Sequence, residues 1–248
     1  MKPKTNLLTI DIGNTSIQLG QFKGPKLFKS IRMINDHINA KTLLLKCKQF
    51  NGMQAILICS VVPKLTKLLA QAKVWRGIQP LIIQKDIRIP INNQTKQKSS
   101  VGHDRLVNAY GAYKRFDQPT ICIDFGTAIT FDVINANGFQ GGVIAPGIQI
   151  SLNALTQATA QIPLIKIKKI NSVIGKTTQD SIRAGVFYGI GGLCDRIVES
   201  INKEKKTQHK IIATGGYANQ IKPYTQSIKT IDHNLTLKAL HTIYHKHI

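Results

Sequence analysis

Leu7-Leu8-Thr9-Ile10-Asp11-Ile12-Gly13-Asn14-Thr15, continued by Ser16-Ile17-Gln18-Leu19-Gly20, has a second version far downstream. That version reads Thr120-Ile121-Cys122-Ile123-Asp124-Phe125-Gly126-Thr127-Ala128 and continues as Ile129-Thr130-Phe131-Asp132-Val133-Ile134. In both, an apolar strand ends at Asp-x-Gly with a threonine close behind, and a second apolar-rich strand follows. The glycine permits a tight turn, so each copy predicts a β-hairpin. The two aspartates stand 113 residues apart in a chain of 248. Repetition at nearly half the chain length predicts two related half-domains, each opening with its hairpin.

Outward from these copies the pattern is strands alternating with helices. Gln54 to Val62 reads as a buried strand stopped by Pro63, and Leu81 to Ile83 as another. The polar run Asn92 to Ser100 reads as a loop. Leu106 to Phe116 reads as a helix with Leu106, Tyr110 and Tyr113 on one face. Asp117-Gln118-Pro119 breaks the chain, which sets the expected division at residues 1–117 and 118–248. In the second half, Gly141 to Ala145 reads as a short strand. Pro146-Gly147 turns into a helix expected to reach Ala160. Asp180 to Ile201 forms a long helix, with Ile182, Val186, Ile190, Leu193, Ile197 and Ile201 at helical spacing. Gly185, Gly189, Gly191 and Gly192 weaken that helix in isolation, so close packing against another surface is expected to compensate. Lys210 to Thr214 reads as a strand ending at Gly215-Gly216, and a last helix starts near Leu235. The class is α/β.

Composition narrows the functions. Hydrophobic residues make up 42% of the chain, enough for a globular core, and the longest apolar stretch, Ala55 to Val62, is too short to span a bilayer. The N-terminus lacks the apolar region and cleavage site of a signal peptide. Cys47, Cys59, Cys122 and Cys194 form no C-x-x-C pair, and the Cys59 and Cys122 environments suit buried free thiols. A cytoplasmic location without disulfides is expected. The net charge of +22 suits polyanions, but the lysines are dispersed and neither zinc-finger spacing nor an RNA-binding aromatic motif occurs. Nucleic acid is therefore not expected as a partner. His241 and His245, four residues apart on the last helix, have no carboxylate or cysteine nearby to complete a metal site, and a solvated helix face is expected there. Walker-type and Gly-x-Ser-x-Gly loops are absent.

Two Asp-x-Gly hairpins suit a nucleotide. The turn glycines admit phosphate oxygens to backbone N–H groups, the aspartates can hold Mg²⁺ through water, and Thr15 and Thr127 offer hydroxyl donors. One Asp-x-Gly alone reads equally well as a plain turn. Asp104 opens a helix, a position that favours negative charge and fixes the carboxylate. A general base and a helix cap both fit it. Arg105 suits either a carboxylate or phosphate clamp or a salt bridge, and Thr178 an N-cap.

The paired hairpins and Gly215-Gly216 resemble the actin, Hsp70 and sugar-kinase superfamily, which implies two duplicated ribonuclease H-like half-domains. Within it, the motifs resemble those of the type III pantothenate kinases. They run in order: Asp11-Ile12-Gly13-Asn14-Thr15, Ser60-Val61-Val62-Pro63, Gly102-His103-Asp104-Arg105 with Gly111-Ala112, Asp124-Phe125-Gly126-Thr127-Ala128, Gly141-Gly142-Val143-Ile144-Ala145-Pro146-Gly147, Thr178, and Thr214-Gly215-Gly216. The resemblance implies ATP-dependent phosphorylation of pantothenate to 4′-phosphopantothenate, the first step of coenzyme A synthesis, with Asp104 as the catalytic base. It implies ATP contacts from Asp11, Ile12, Gly13, Asn14, Thr15, Ser16, Ile17, Gln18 and Thr127. Pantothenate contacts would come from Gly102, His103, Asp104, Arg105 and Thr178. Asp124 would bind a monovalent cation, K⁺ or NH₄⁺, and the active form would be a homodimer sharing its pantothenate pocket.

One departure stands out. The family carries Tyr seven residues before the Gly of Gly-x-Asp-Arg and Pro four before it, where this chain has Thr95 and Lys98. The resemblance leaves two rivals: a kinase for another small alcohol, and a non-catalytic accessory transcription factor, as some members of the family were first described.

Overall fold

A computed structural model describes residues 5–34, 40–158, 165 and 167–248. The chain divides into two compact units. The first holds residues up to Lys114 together with Asn234–Ile248, and the second Arg115–His233.

In the first unit, β1 (Asn6–Ile12) and β2 (Ser16–Lys23) form the expected hairpin, and β3 (Lys26–Ile34) extends it as a meander. Helix α1 (Ala40–Cys47) leads to β4 (Ala55–Ser60), which runs parallel to β1. Pro63 then starts α2 (Pro63–Ala70) at a position where a missing N–H costs nothing. The short β5 (Leu81–Ile82) completes a sheet of order β3-β2-β1-β4-β5. Leu8, Ile10, Ile12, Ile17 and Leu19 turn one face to a core with Leu43, Phe50, Ile56, Ile58 and Trp75. The Asn92–Ser100 loop, closed by a 3-10 turn at Lys98–Ser100, leads to α3 (His103–Phe116).

The second unit repeats the plan. β6 (Thr120–Phe125), β7 (Ala128–Asn135) and β8 (Gly138–Pro146) form an antiparallel meander. Helices α4 (Ile148–Ala158) and α5 (Thr178–Lys205) follow, then β9 (Lys210–Gly215), the four-residue α6 (Ala218–Ile221) and β10 (Thr230–Ile231). The sheet order β10-β9-β6-β7-β8 maps strand for strand onto the first, with β9 and β10 parallel to β6 as β4 and β5 are to β1. Both outer pairings, β2–β3 and β7–β8, carry a register shift near their far ends. The duplication is thus a property of topology as well as of motif.

The last helix, α7 (Leu235–His247), departs from the expected division at residue 117. It belongs to the first unit, although it is contiguous in sequence with the second. Its seat explains this. Gly20 and Gly111 leave room for it: a Cβ on Gly111 would lie 2.6 Å from the Ala239 side chain, and one on Gly20 2.8 Å from Leu237. Thr236 Oγ1 donates to Asn108 Oδ1 at 2.7 Å, so the buried polar pair is satisfied. His241 does not lie on a solvated face. Its ring stacks on Phe22 at 4.4 Å, and its Nε2–H donates to the Gly24 carbonyl.

Other differences are of extent. The short strand expected at Gly141 to Ala145 is part of the nine-residue β8. The long helix α5 starts two residues earlier and ends four later than its apolar spacing indicates. The expected end of α4 at Ala160 lies outside the described residues.

Candidate active site

The first hairpin closes on a hydrogen bond from Gly13 N–H to Ser16 O at 2.9 Å. A Cβ on Gly13 would sit 3.3 Å from that carbonyl, so glycine keeps the turn tight. Strand alternation sorts the residues. Ile12 and Ile17, paired across the turn, are buried in the core, so only their backbones are available to a ligand. Asp11 and Gln18 pair with each other on the opposite face, and Asn14 and Thr15 are exposed at the tip. The end of β4 lies alongside: Cys59 is in register with Asp11, Val61 N–H donates to Ile12 O at 3.0 Å, and Ser60 Oγ accepts Val62 N–H.

Asp104 is half-buried in the first turn of α3. Its Oδ1 accepts the Arg105 N–H at 2.8 Å, and a Cβ on Gly102 would come within 2.5 Å of the same oxygen. Gly102 thus makes room for the carboxylate, and Arg105 N–H orients it. Gly102 and His103 precede it at the mouth of the helix, with Leu106 N–H bonded to Gly102 O. The buried Cys59 thiol ties Asp104 to the hairpin. Burial pushes its pKa well up, and the charges of Asp11 and Asp104 both push further. Both carboxylates of the first unit therefore act on the same buried thiol.

The second hairpin is built the same way, closing on Gly126 N–H to Ala128 O at 3.1 Å. Two further glycines press against it. A Cβ on Gly147 would collide with the carbonyls of Thr127 and Gly126, and one on Gly215 with Asp124 Oδ1 and the Phe125 backbone. Gly215 also has φ of +90°, which side chains rarely adopt. Its carbonyl accepts His233 Nδ1–H at 3.3 Å. The family-like Pro146-Gly147 and Thr214-Gly215 segments therefore meet the Asp124-Phe125-Gly126-Thr127 turn. Asp124 pairs with Thr214 on one side and Thr130 on the other. Cys122 is buried, which raises its pKa, and Asp132 and Asp124 raise it further.

Thr178 does not cap α5. Thr177 does: its Oγ1 accepts Asp180 N–H at 3.1 Å and donates to Asp180 Oδ2. Thr178 is the exposed first residue of the helix, its hydroxyl uncommitted to the cap.

A sequence profile described as type III pantothenate kinase matches residues 7–200. A protein named type III pantothenate kinase from Finegoldia magna is 41% identical, with 96% of each chain covered. The chain belongs to the type III pantothenate kinase family. A further type III pantothenate kinase, from Listeria monocytogenes serotype 4a, is 37% identical over 97% of each chain. Among solved structures, a Campylobacter jejuni protein named for the Baf family of transcriptional activators has a TM-score of 0.63 at 21% identity, covering 97% of this chain and 98% of its own. An activator of 2-hydroxyisocaproyl-CoA dehydratase from Clostridium difficile, solved with bound ADPNP, scores 0.57 at 11% identity and covers 98% of each. At those identities the likeness concerns the fold, the actin-like ATPase and sugar-kinase architecture.

The Asn92–Ser100 loop is held by its own polar groups. Asn93 Oδ1 accepts both the N–H and the hydroxyl of Thr95, Asn93 Nδ2 donates to Lys98 O, and Ser100 Oγ donates to Gln97 O. The Thr95 hydroxyl and N–H and the Lys98 carbonyl thus hold the loop's shape at the two positions that depart from the expected Tyr and Pro. Sequence reasoning did not single out His233, and it read Cys59 only as a buried thiol and Thr214 only as part of the late turn. For Cys59 and Thr214 the signal was a place near the end of a strand that runs beside an Asp-x-Gly strand.

Proposed function

We propose that Asp104 is the general base of a direct, in-line transfer from ATP to pantothenate. Membership of the type III pantothenate kinase family makes the protein an ATP-dependent pantothenate kinase that serves coenzyme A synthesis. In the proposed step, the primary hydroxyl oxygen of pantothenate bonds to the γ-phosphorus, and the bond from that phosphorus to the β–γ bridging oxygen breaks. ADP leaves with the bond's electron pair, and the hydroxyl proton passes to Asp104 Oδ2. The observation that carries this role is the fixing of Asp104 Oδ1 by Arg105 N–H, with Gly102 clearing space beside it. That arrangement leaves Oδ2 for the substrate. Gly102, His103, Arg105 and the exposed Thr178 are proposed to contact pantothenate, with Arg105 suited to its carboxylate.

The turn Gly13–Gln18 and Thr127 are proposed to receive the phosphates through N–H and hydroxyl donors. Mg²⁺ fits this setting. Among the described residues no three potential ligands converge, and Mg²⁺ commonly takes one or two carboxylates plus nucleotide phosphates, so each Asp-x-Gly carboxylate, Asp11 in the first unit and Asp124 in the second, suits the ion through water. Bound there, the ion would neutralise phosphate charge. Asp124 would also hold K⁺ or NH₄⁺: Gly215 has no Cβ to press on its Oδ1, and oxygen donors suit hard cations. A homodimer is supported by α5, where Gly185, Tyr188, Gly189 and Gly192 are exposed along one face and, among the described residues, nothing beyond the helix itself lies within 4 Å of a Cβ on any of the three glycines. A cytoplasmic location is supported by four buried free thiols, and no helix among the described residues is long and apolar enough to cross a membrane.

A coupled ADP-release assay with and without pantothenate tests the reaction. We expect turnover that requires pantothenate and falls sharply when Na⁺ replaces K⁺. Turnover indifferent to pantothenate, or supported only by another alcohol, overturns the substrate assignment. Equal rates in Na⁺ and K⁺ remove the monovalent-cation role of Asp124.

A further inference from the structure

We propose that Arg32, on the edge strand β3, is a phosphate ligand of the nucleotide site. The inference rests on reading the β1–β2 hairpin as a phosphate cradle. Strand registers put four residues in one row across the first sheet: Cys59 on β4, Asp11 on β1, Gln18 on β2 and Arg32 on β3. Residues directly opposite each other in a sheet share a face. Ile31 and Met33, the neighbours of Arg32, pack on the core side, so Arg32 lies on the face of Asp11 and Gln18. Its guanidinium turns toward the hairpin, donating from Nη2 to Ser16 Oγ at 3.3 Å.

A guanidinium carries five N–H donors in a rigid fork that matches phosphate oxygens. The Ser16 hydroxyl engages one of them. Among the described residues no carboxylate forms an ion pair with Arg32, and its side chain is exposed at the hairpin mouth. Gln18 separates it from Asp11 in the row, so the cation and the carboxylate stand on either side of β2 rather than opposite each other. A ligand with several anionic oxygens, the polyphosphate of a nucleoside triphosphate, complements that spacing.

The duplicated unit is the internal control. Its equivalent row is Thr214, Asp124, Thr130 and Ile144. Where the first unit ends the row in a guanidinium, the second ends it in an exposed isoleucine. The topology places no demand for a cation at this position, so Arg32 marks a chemical specialisation of the first hairpin.

The test is steady-state kinetics and thermal melting of the full chain carrying Arg32→Ala, Arg32→Lys or Arg32→Gln. Gln keeps a donor for Ser16 and serves if the alanine variant folds poorly. Loss of charge-assisted bonds to phosphate is expected to raise the KM for ATP roughly 10- to 100-fold in the Ala and Gln variants. Lys, which keeps the charge without the fork, should recover part of that loss. The KM for pantothenate and the melting temperature should stay at wild-type values. An unchanged KM for ATP overturns the proposal, as does a parallel rise in both KM values with a lower melting temperature. If the wild-type chain itself fails to bind ATP, as measured by calorimetry, the hairpin reading falls and Arg32 with it. If wild type binds ATP and the Arg32 variants bind it equally well, only the assignment of Arg32 falls.

Discussion

At the scale of single residues, the site depends on a few atoms that leave room for others. Asp104→Asn keeps the Oδ1 that accepts Arg105 N–H, so the variant should fold like wild type. Its turnover should fall at least about 100-fold, the usual scale for removing a general base. A folded variant with near wild-type turnover would remove Asp104 from the mechanism. Gly215→Ala should act differently. The new Cβ has to displace Asp124 Oδ1 and adopt φ of +90°, so both melting temperature and activity should drop. Intact melting and activity in that variant would show that the Asp124 cradle tolerates a side chain. The sequence made the charged members of the site legible, because Asp11, Asp104 and Asp124 sit in short motifs with fixed neighbours. It did not show why Gly102, Gly147 and Gly215 are glycine, since each answers to an atom two or more residues away. Nor did it separate Thr177 from Thr178 as the cap, because adjacent threonines differ only in backbone angle.

At the scale of elements, strands with strong apolar runs were legible and the edge strand was not. β3 alternates exposed and half-buried along Lys26–Ile34, but its lysines and arginine mask that period. Helices α1 and α2 were missed because each is only eight residues long. The four glycines of α5 divide into two kinds. A Cβ on Gly191 would strike the Tyr224 carbonyl, so Gly191→Ala should cost about 1–3 kcal/mol or more. Gly189 has open space, so Gly189→Leu should leave the subunit stable yet weaken association of the proposed dimer. Light scattering decides this: a monomeric wild type, or an equally dimeric Gly189→Leu, rejects the α5 face as an interface. The packing of α7 gives a pH dependence. Burial holds His241 below the usual imidazole value, its bond to Gly24 O opposes this, and His245 pushes it lower still. The unfolded chain then takes up the proton first. Its contribution is fully present above about pH 6.5, the unfolded value, and declines as pH falls below it. Melting temperatures between pH 7 and 5 should therefore fall, and His241→Gln should flatten that slope. An unchanged slope would assign the acid sensitivity elsewhere.

At the scale of the whole molecule, the repeat at half-chain spacing was enough to read the duplicated architecture, and the two five-stranded sheets match it strand for strand. The net charge of +22 follows no such plan. We expect DNA binding to be weak, sequence-blind and steeply salt-dependent, as released counterions would make it. Titrating genomic and random fragments at two salt concentrations tests this, and a sequence-selective complex stable at physiological salt would revive a regulatory role. Chain order hid the partnership of α7, because no local pattern in Leu235–His247 says which sheet it covers. That partnership has a consequence during synthesis. Domains usually fold as units in the order they leave the ribosome, N-terminal first. Here Arg115–His233 is contiguous, whereas the unit that starts before it lacks its covering helix until Asn234–Ile248 emerges. The half translated first is therefore completed last, and its Gly20–Gly111 seat waits unfilled in the nascent chain while the other half is already whole.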